Sequence, residues 1–134
     1  RSSVIGTIIG ILPGLGGGPA TLISYAQAKK ASKNPEEFGH GAEEGIIAAE
    51  SANNAVTGGA LIPMLTLGVP GDAVTALMLS GFIIHGITVG PLLFKEQPIL
   101  IRSILISVFI ANIIVFAVGA GGIKYFVKGG NLNV

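Results

Sequence analysis

Long apolar stretches fill the chain, and residues that break helices interrupt them. The first stretch, Val4–Ala28, is long enough to cross a bilayer as a helix, since one span needs about 20 residues. Pro13 removes a backbone donor inside this stretch, and consecutive glycines beside it give a helix no side-chain support. The pattern therefore predicts two half-helices, Val4–Leu12 and Pro19–Lys29, with a loop between them.

A second interruption follows the next apolar stretch. Gly45–Leu67 carries polar residues in its middle and ends at Leu67–Asp72, where Pro70 and Gly71 again interrupt apolar sequence. The residues after it, Ala73–Phe94, read as one long apolar helix. Two broken apolar segments in one short chain indicate a transporter-like binding site, because transporters build their sites from discontinuous helices.

The remaining segments complete an all-α plan. Residues 99–123 form the least interrupted apolar stretch and predict a generic transmembrane helix. Lys29–Glu44 is the main polar segment, so we expect it outside the hydrocarbon core, on the cytoplasmic side because of its lysines. Within it, Asn34–Glu37 has the signals of a helix start. The prediction is a polytopic integral membrane protein with transmembrane helices broken at Pro-Gly.

Composition places the whole chain, residues 1–134, in the membrane class. Charged residues make up 11%, against about 25% in soluble proteins, and the mean hydropathy is +0.75. The net charge of +1 offers no field that would attract nucleic acid. The sequence begins at Arg1 without an initiator Met, so we expect a single transmembrane region that is part of a longer polypeptide, with its motifs in residues 1–94.

The two breaks are the first candidate binding elements. A half-helix that begins near Pro19 presents free N–H groups and a partial positive charge, which suit a carboxylate. Glycines allow the backbone itself to approach the ligand, whereas a tight helix-packing kink without a ligand is the alternative. The predicted substrate-binding residues at the two breaks are Gly14, Gly16, Gly17, Gly18, Thr21, Gly71 and Thr75.

Polar side chains within apolar sequence are the second candidates. Asn53 and Asn54 lie on one helix face with Glu50, and such groups need partners inside a membrane. We expect the two amides to bind substrate and Glu50 to bind a cation; an interhelical polar clamp is the alternative. Asp72 is predicted to cap the following helix, with cation binding as its second role.

The sequence offers no candidate catalytic residues. The chain has no cysteine and no spacing typical of a Ser-His-Asp triad or of a metal site. The glycine run Gly14–Gly18 lacks the Lys-Ser/Thr pair of a phosphate-binding loop. We therefore expect no enzyme activity, no catalytic residue, no bound metal and no cofactor other than Na⁺ or H⁺ as a coupling ion.

Seven short motifs follow one another along the chain: Gly10–Gly16, Phe38–Gly45, Glu50–Ala55, Gly58–Pro63, Leu67–Gly71, His85-Gly86 and Gly90–Phe94. In this order they resemble the second half of the large membrane subunit of tripartite tricarboxylate transporters. The resemblance covers Ser3–Phe94, and Ala49 departs from it where a proline is expected.

This resemblance implies a membrane permease of a cation-coupled secondary transporter for small di- and tricarboxylates. Its implied partners are a periplasmic solute-binding protein, a small membrane subunit and the lipid bilayer, with no nucleic acid. The implied location is the bacterial inner membrane, which the subunit crosses several times. A non-transporting membrane scaffold or assembly subunit, in which the breaks serve helix packing, is the alternative function.

Overall fold

The computed structural model describes the backbone of residues 1–129 and the side chains of residues 1–123. This part of the chain is entirely helical, apart from turns and loops, which confirms the all-α prediction for it. It divides into two compact units, Arg1–Leu93 and Phe94–Val134. The elements are α1 (Ser2–Ile11), α2 (Gly17–Ala31), a 3₁₀ helix (Pro35–Glu37), α3 (Glu43–Leu67), α4 (Ala73–Ile84), α5 (Leu93–Glu96) and α6 (Pro98–Gly129).

The first unit is built on α3, against which α1 and α2 pack. Gly6 of α1 lies beside Ala52, and Gly10 lies beside Val56, so α1 and α3 run in the same direction. α2 runs the opposite way, since its first residue lies beside Asn53 and Ser24 farther along bonds to Ala48. The α1 and α2 helices therefore form a hairpin whose tip is the first Pro-Gly segment.

Small residues bring α1 and α3 into close contact. A Cβ added at Gly6 or Gly10 would overlap the α3 backbone, and one added at Gly59 would overlap the carbonyl oxygen of Thr7. Helices that meet through such residues gain dispersion contacts over closely spaced backbones. The buried side chains between α1, α2 and α3 are Ile9, Ala20, Ala52 and Val56, with Ile5 partly buried against them.

At the opposite end of the hairpin, α2 bonds to α3 and contacts the polar segment through Phe38. The Ser24 hydroxyl, fully buried, donates to the Ala48 carbonyl oxygen at 3.0 Å. Phe38 is buried and meets Tyr25 edge to face, with ring centroids 5.2 Å apart. A Cβ at Gly45 would overlap the Tyr25 ring, so this position has room only for glycine unless the ring moves. These contacts hold the polar segment against α2 and α3.

The helix after the second break is shorter than the sequence predicts. α4 ends at Ile84, whereas the apolar pattern predicted a helix as far as Phe94. The His85 amide donates to the carbonyl oxygens of Gly81 and Phe82, and Gly86 takes a φ of +69°. Positive φ is favourable for glycine and ends an α-helix, which explains why the apolar residues after Ile84 leave the helix.

One helical stretch in the described part of the chain, Pro98–Ile123 of α6, is long and apolar enough to cross a membrane. α1 and α4 are apolar but shorter, at 10 and 12 residues. The prediction of several spans therefore stays a prediction.

Candidate functional site

The two Pro-Gly segments lie against each other in the first unit. The Gly14 amide, at the hairpin tip, donates to the Gly71 carbonyl oxygen at 3.0 Å. Gly71 is buried, and a Cβ there would lie 2.7 Å from the Gly10 carbonyl oxygen and 2.8 Å from the Ala60 Cβ. Two segments that are 57 positions apart in sequence thus share one location. Only glycine fits at position 71 without movement of its neighbours.

The backbone of the hairpin tip turns through two left-handed glycines. α1 ends at Ile11, directly before Leu12-Pro13, and a proline disfavours helical conformation in the residue before it. Gly14 and Gly16 have φ of +78° and +63°, which side-chain-bearing residues rarely adopt. Nothing lies within 4 Å of a Cβ built at either glycine, so backbone conformation rather than crowding requires glycine there. The tip residues 11–15 are exposed.

The start of α2 carries backbone donors and one amide side chain. Gly17 and Gly18 lie in the first turn of α2, where N–H groups have no acceptor inside the helix. The Oδ1 atom of Asn53 lies against Gly17, at the place that a Cβ would fill. Thr21, one turn later, donates its hydroxyl to the Gly18 carbonyl oxygen at 2.7 Å. The structure thus brings Asn53 to the start of α2.

The predicted site residues on α3 lie on an exposed face of the helix. Glu50, Asn53 and Asn54 are all exposed, whereas Ala48, Ala52 and Val56 on the other face are buried. The arrangement of polar and buried residues follows the helical period, so one face packs against α1 and α2, and the polar face is exposed except where Asn53 meets Gly17 at the start of α2.

At the second break, Asp72 and Thr75 form hydrogen bonds with each other. The Asp72 Oδ1 atom accepts from the Thr75 amide at 2.8 Å and from the Thr75 hydroxyl at 2.7 Å. The Asp72 amide donates back to the Thr75 hydroxyl oxygen at 3.0 Å. This reciprocal pattern caps α4, as predicted for Asp72, and an acid there also complements the helix dipole. Thr75 is 1% exposed, so its hydroxyl faces Asp72 rather than open space.

Chemically, the arrangement offers backbone N–H groups, amide side chains and one exposed carboxylate, which together suit binding rather than bond making. Within the described residues, no group of three or more His, Asp or Glu side chains is placed to hold a metal ion. A separate cavity of about 460 Å³ lies beside the second break and is lined by Leu67, Gly68 and residues near the end of α4.

Comparison with known proteins identifies the family. The family model described as the tripartite tricarboxylate transporter TctA family matches residues 1–133. The chain belongs to the TctA family. Two curated relatives come from Agrobacterium vitis: an uncharacterized 52.8 kDa protein in the TAR-I ttuC' 3' region, and an uncharacterized protein in the TAR-II ttuC' 3' region.

The first relative is 44% identical to this TctA-family chain over 128 residues, 96% of the chain and 26% of the relative. The second is 45% identical over 123 residues, 92% of the chain and 51% of the relative. The chain thus spans about a quarter and about half of the two relatives it matches. No solved structure matches it. The match confirms the resemblance and places the TctA-family chain in a transporter family.

Sequence reasoning missed the residues that hold the two breaks together in this TctA-family chain. Gly10 and Ala60 enclose Gly71, although neither looks like a site residue in sequence. The spacing of small residues on α1 and α3 could have indicated Gly10 and Ala60, because it predicts close contact between the two helices. It does not predict that the segment with Gly71 packs against that contact.

Proposed function

We propose that the chain is part of the membrane permease subunit of a cation-coupled secondary transporter for small di- and tricarboxylates. The observation that carries the proposal is the meeting of the two Pro-Gly segments through the Gly14–Gly71 hydrogen bond, beside the start of α2. Non-helical backbone at membrane depth is tolerated where it is buried in protein or lines a water-filled cavity. Discontinuous helices that meet in this way are how secondary transporters form substrate sites.

In the proposed site, a substrate carboxylate binds at the start of α2. The Gly17 and Gly18 amides and the helix dipole favour an anion there. The Gly14 amide, by contrast, already donates to Gly71, so it reaches a ligand only if that bond opens. Asn53 adds a neutral side chain that can donate to a carboxylate through Nδ2 or contact a cation through Oδ1. Asn54 lies one residue further along the same exposed face.

The wider proposal follows the family. The full-length subunit crosses the bacterial inner membrane several times, and the Lys29–Glu44 segment faces the cytoplasm. A periplasmic solute-binding protein delivers the carboxylate, and a small membrane subunit completes the complex. Na⁺ or H⁺ couples uptake to an ion gradient.

The experiment is carboxylate uptake by the full-length subunit in its complex, normalised to folded protein in the membrane. Asn53→Ala is expected to weaken substrate affinity by about tenfold to a hundredfold, because a hydrogen bond to a charged group is lost. Asn54→Ala tests the neighbouring amide in the same way. The matched control is Asn112→Ala in α6, since Asn112 donates to the Val108 carbonyl oxygen of its own helix at 2.8 Å. Wild-type affinity in both Asn53→Ala and Asn54→Ala would remove these side chains from the site.

The alternative is a non-transporting membrane scaffold, and the packing around Gly71 favours it. A glycine enclosed by Gly10 and Ala60 is what a helix-packing kink requires. A scaffold predicts that Asn53→Ala lowers the amount of folded complex, while uptake per folded molecule stays unchanged. The same normalised assay therefore separates the two functions.

A further inference from the structure

α2 packs one side against α1 and α3 and leaves the other side exposed. The packed side carries Ala20 and Ser24, which are buried, and Gly17 and Ala28, which are partly buried. Spacings of three and four residues put these four positions on one side of a helix. We call the opposite side the α2 outer face. Its residues are all exposed, and they are Pro19, Leu22, Ile23, Ala26, Lys29 and Lys30.

The α2 outer face changes from apolar to basic along the helix axis. Leu22 is 72% exposed and Ile23 is 51% exposed, so the first part of this face offers a broad apolar surface. Lys29 and Lys30 occupy the last turn of α2, and Lys33 follows shortly after the helix ends; all three are exposed. At 1.5 Å per residue, Leu22 and Lys30 are about 12 Å apart along the axis. The apolar and basic parts therefore lie at different heights on the same face.

The direction of this change distinguishes two ways in which a helix meets a membrane. A helix that lies flat on the surface has its apolar and basic residues on opposite sides. A helix that ends at the surface has apolar residues below the headgroups and lysines level with them, because a lysine side chain extends its ammonium toward the polar region. The α2 outer face has the second arrangement, so its basic end marks the level of the lipid headgroups.

Hydrogen bonding in the apolar part of α2 suits contact with lipid. The Thr21 hydroxyl donates to a carbonyl oxygen of its own helix at 2.7 Å, and the Ser24 hydroxyl donates to the Ala48 carbonyl oxygen at 3.0 Å. Acyl chains offer no hydrogen-bond partner, so a hydroxyl facing them must be satisfied within the protein. Tyr25 is half-buried and lies one turn before Lys29, and tyrosine is common at the level where a membrane meets water.

Acidic residues of the neighbouring polar segment lie away from the α2 outer face. α2 itself contains no acidic residue. Glu37, Glu43 and Glu44 line a polar cavity of about 370 Å³ beside the start of α3, and the lysines are not part of its lining. Glu36, exposed on the 3₁₀ helix, is the acid that comes next after Lys33 in sequence. The basic end of the α2 outer face is therefore a local concentration of positive charge beside an apolar surface.

We propose that the α2 outer face is a lipid-docking surface that selects anionic phospholipids. Leu22 and Ile23 contact the acyl chains, and Lys29, Lys30 and Lys33 bind the phosphate groups of anionic lipids. The three lysines thereby fix the depth of the α1–α2 hairpin relative to the membrane surface. This docking requires the membrane location expected of a transporter family but no carboxylate transport, so a complex that moves no carboxylate leaves it standing.

The lysines have a second possible role, which lipid does not influence. Cations in the last turn of a helix complement the helix dipole inside the protein, whatever lipid surrounds it. Binding to anionic lipid, by contrast, contributes roughly fivefold in affinity per lysine near the surface. It also weakens as salt screens the charges. Dependence on the headgroup and on salt therefore separates the two roles.

The test measures which lipid lies beside the basic end of α2 in the full-length subunit within its complex. The complex is placed in nanodiscs made of equal parts phosphatidylcholine and phosphatidylglycerol. A fluorophore is attached at Ala26→Cys, on the α2 outer face one turn before Lys30. A nitroxide quencher near the top of the acyl chain is carried either by the anionic lipid or by the zwitterionic one. The ratio of the two quenching efficiencies reports the local enrichment of anionic lipid.

With the three lysines present, phosphatidylglycerol is expected to quench several times as strongly as phosphatidylcholine, and added salt lowers this ratio. Changing all three lysines to glutamine should bring the ratio to about one, because the charge is lost. The matched variant changes them to arginine, which keeps the charge, and should retain the enrichment. Equal quenching by the two lipids before any substitution, or an enrichment that survives the glutamine variant, overturns the proposal.

Two further label positions test the apolar part and the background. At Leu22→Cys, a nitroxide deeper in the acyl chain is expected to quench the fluorophore equally in the glutamine and arginine variants. If neither lipid quenches it, the α2 outer face is covered by protein, either the rest of the subunit or a second copy, and the proposal is overturned. Ile113→Cys in α6 is the control, since no charged residue lies within ten positions of it. Both lipids should quench there equally, and an enrichment there as strong as at Ala26→Cys would also overturn the proposal.

Discussion

α3 and α6 are both long helices in an apolar chain, yet they use their residues in opposite ways. α3 buries one face against α1 and α2 through glycine and alanine, and carries Glu50, Asn53, Asn54 and Thr57 on the other. Most apolar residues of α6 are exposed, with 6% of its most apolar 18-residue stretch buried. Length in an apolar chain therefore does not separate a helix that packs within its own unit from one whose apolar residues are mostly exposed.

The surroundings of the glycines also differ between the helices around α3 and α6. In the broken region, α1 to α4 with their connecting segments, Gly10, Gly59 and Gly71 lie where a Cβ would meet backbone atoms. In α6, nothing lies within 4 Å of a Cβ built at Gly119 or Gly121. Close backbone contacts and a helix cap order the broken region, whereas α6 is one uninterrupted apolar helix without such contacts at Gly119 and Gly121.

The largest expected effect comes from a charge in the middle of α6. Ile113→Lys places an ammonium near the centre of a span, which costs about 3 kcal/mol of apparent insertion free energy. Ile99→Lys, in the first turn of the same helix, is the control, because its side chain can reach the interface. The measurement is the membrane-inserted fraction of residues 98–123 in a microsomal insertion assay. Equal insertion of the two variants would mean that α6 is not a lipid-facing span.

A smaller effect is expected where α1 meets α3. Gly59→Ala forces a methyl group against the Thr7 carbonyl oxygen, and overpacking of this kind costs about 1–3 kcal/mol. Gly58→Ala, one residue earlier, meets open space and should stabilise the helix by up to about 1 kcal/mol. The difference is measured as the Tm of the purified full-length complex. If both substitutions lower Tm equally, the close contact between α1 and α3 does not contribute to stability.

Local sequence chemistry predicted the helix ends at the breaks but not the direction of the chain after them. Pro13 and the positive-φ glycines explain why α1 ends and α2 begins where they do. The reversal that makes α1 and α2 a hairpin depends on contacts with α3, between residues far apart in sequence. The hydrogen bond from Gly14 to Gly71 is another such contact, and no local pattern contains it.

Two predicted helices end early, the one that begins at Asn34–Glu37 and α4, which ends at Ile84 instead of Phe94, because glycines with positive φ follow each of them. Asn34–Glu37 predicted a helix start, yet the structure has only the 3₁₀ helix Pro35–Glu37, without a side-chain cap from Asn34. Gly39 and Gly41 follow with φ of +97° and +101°, which stops any continuation. For the candidate site, residue type predicted the Asp72 cap, which the structure has, and the binding role of Asn53, which stays a prediction. The state of each carboxylate needed the hydrogen bonds of the folded chain.

The smallest effect concerns the cap at the second break, which tests whether the broken region needs features that α6 lacks. Asp72→Ala removes the acceptor of the Thr75 amide and should cost about 1 kcal/mol, within the range of 0.5–2 kcal/mol for lost helix caps. Asp72→Ser keeps a side-chain oxygen and should retain most of the stability, because serine caps about as well as aspartate. The Tm of the purified complex, without substrate or coupling ion, measures both changes. If serine and alanine are equally destabilising, the charge of Asp72 matters rather than its cap, and Asp72 would again become a candidate cation ligand.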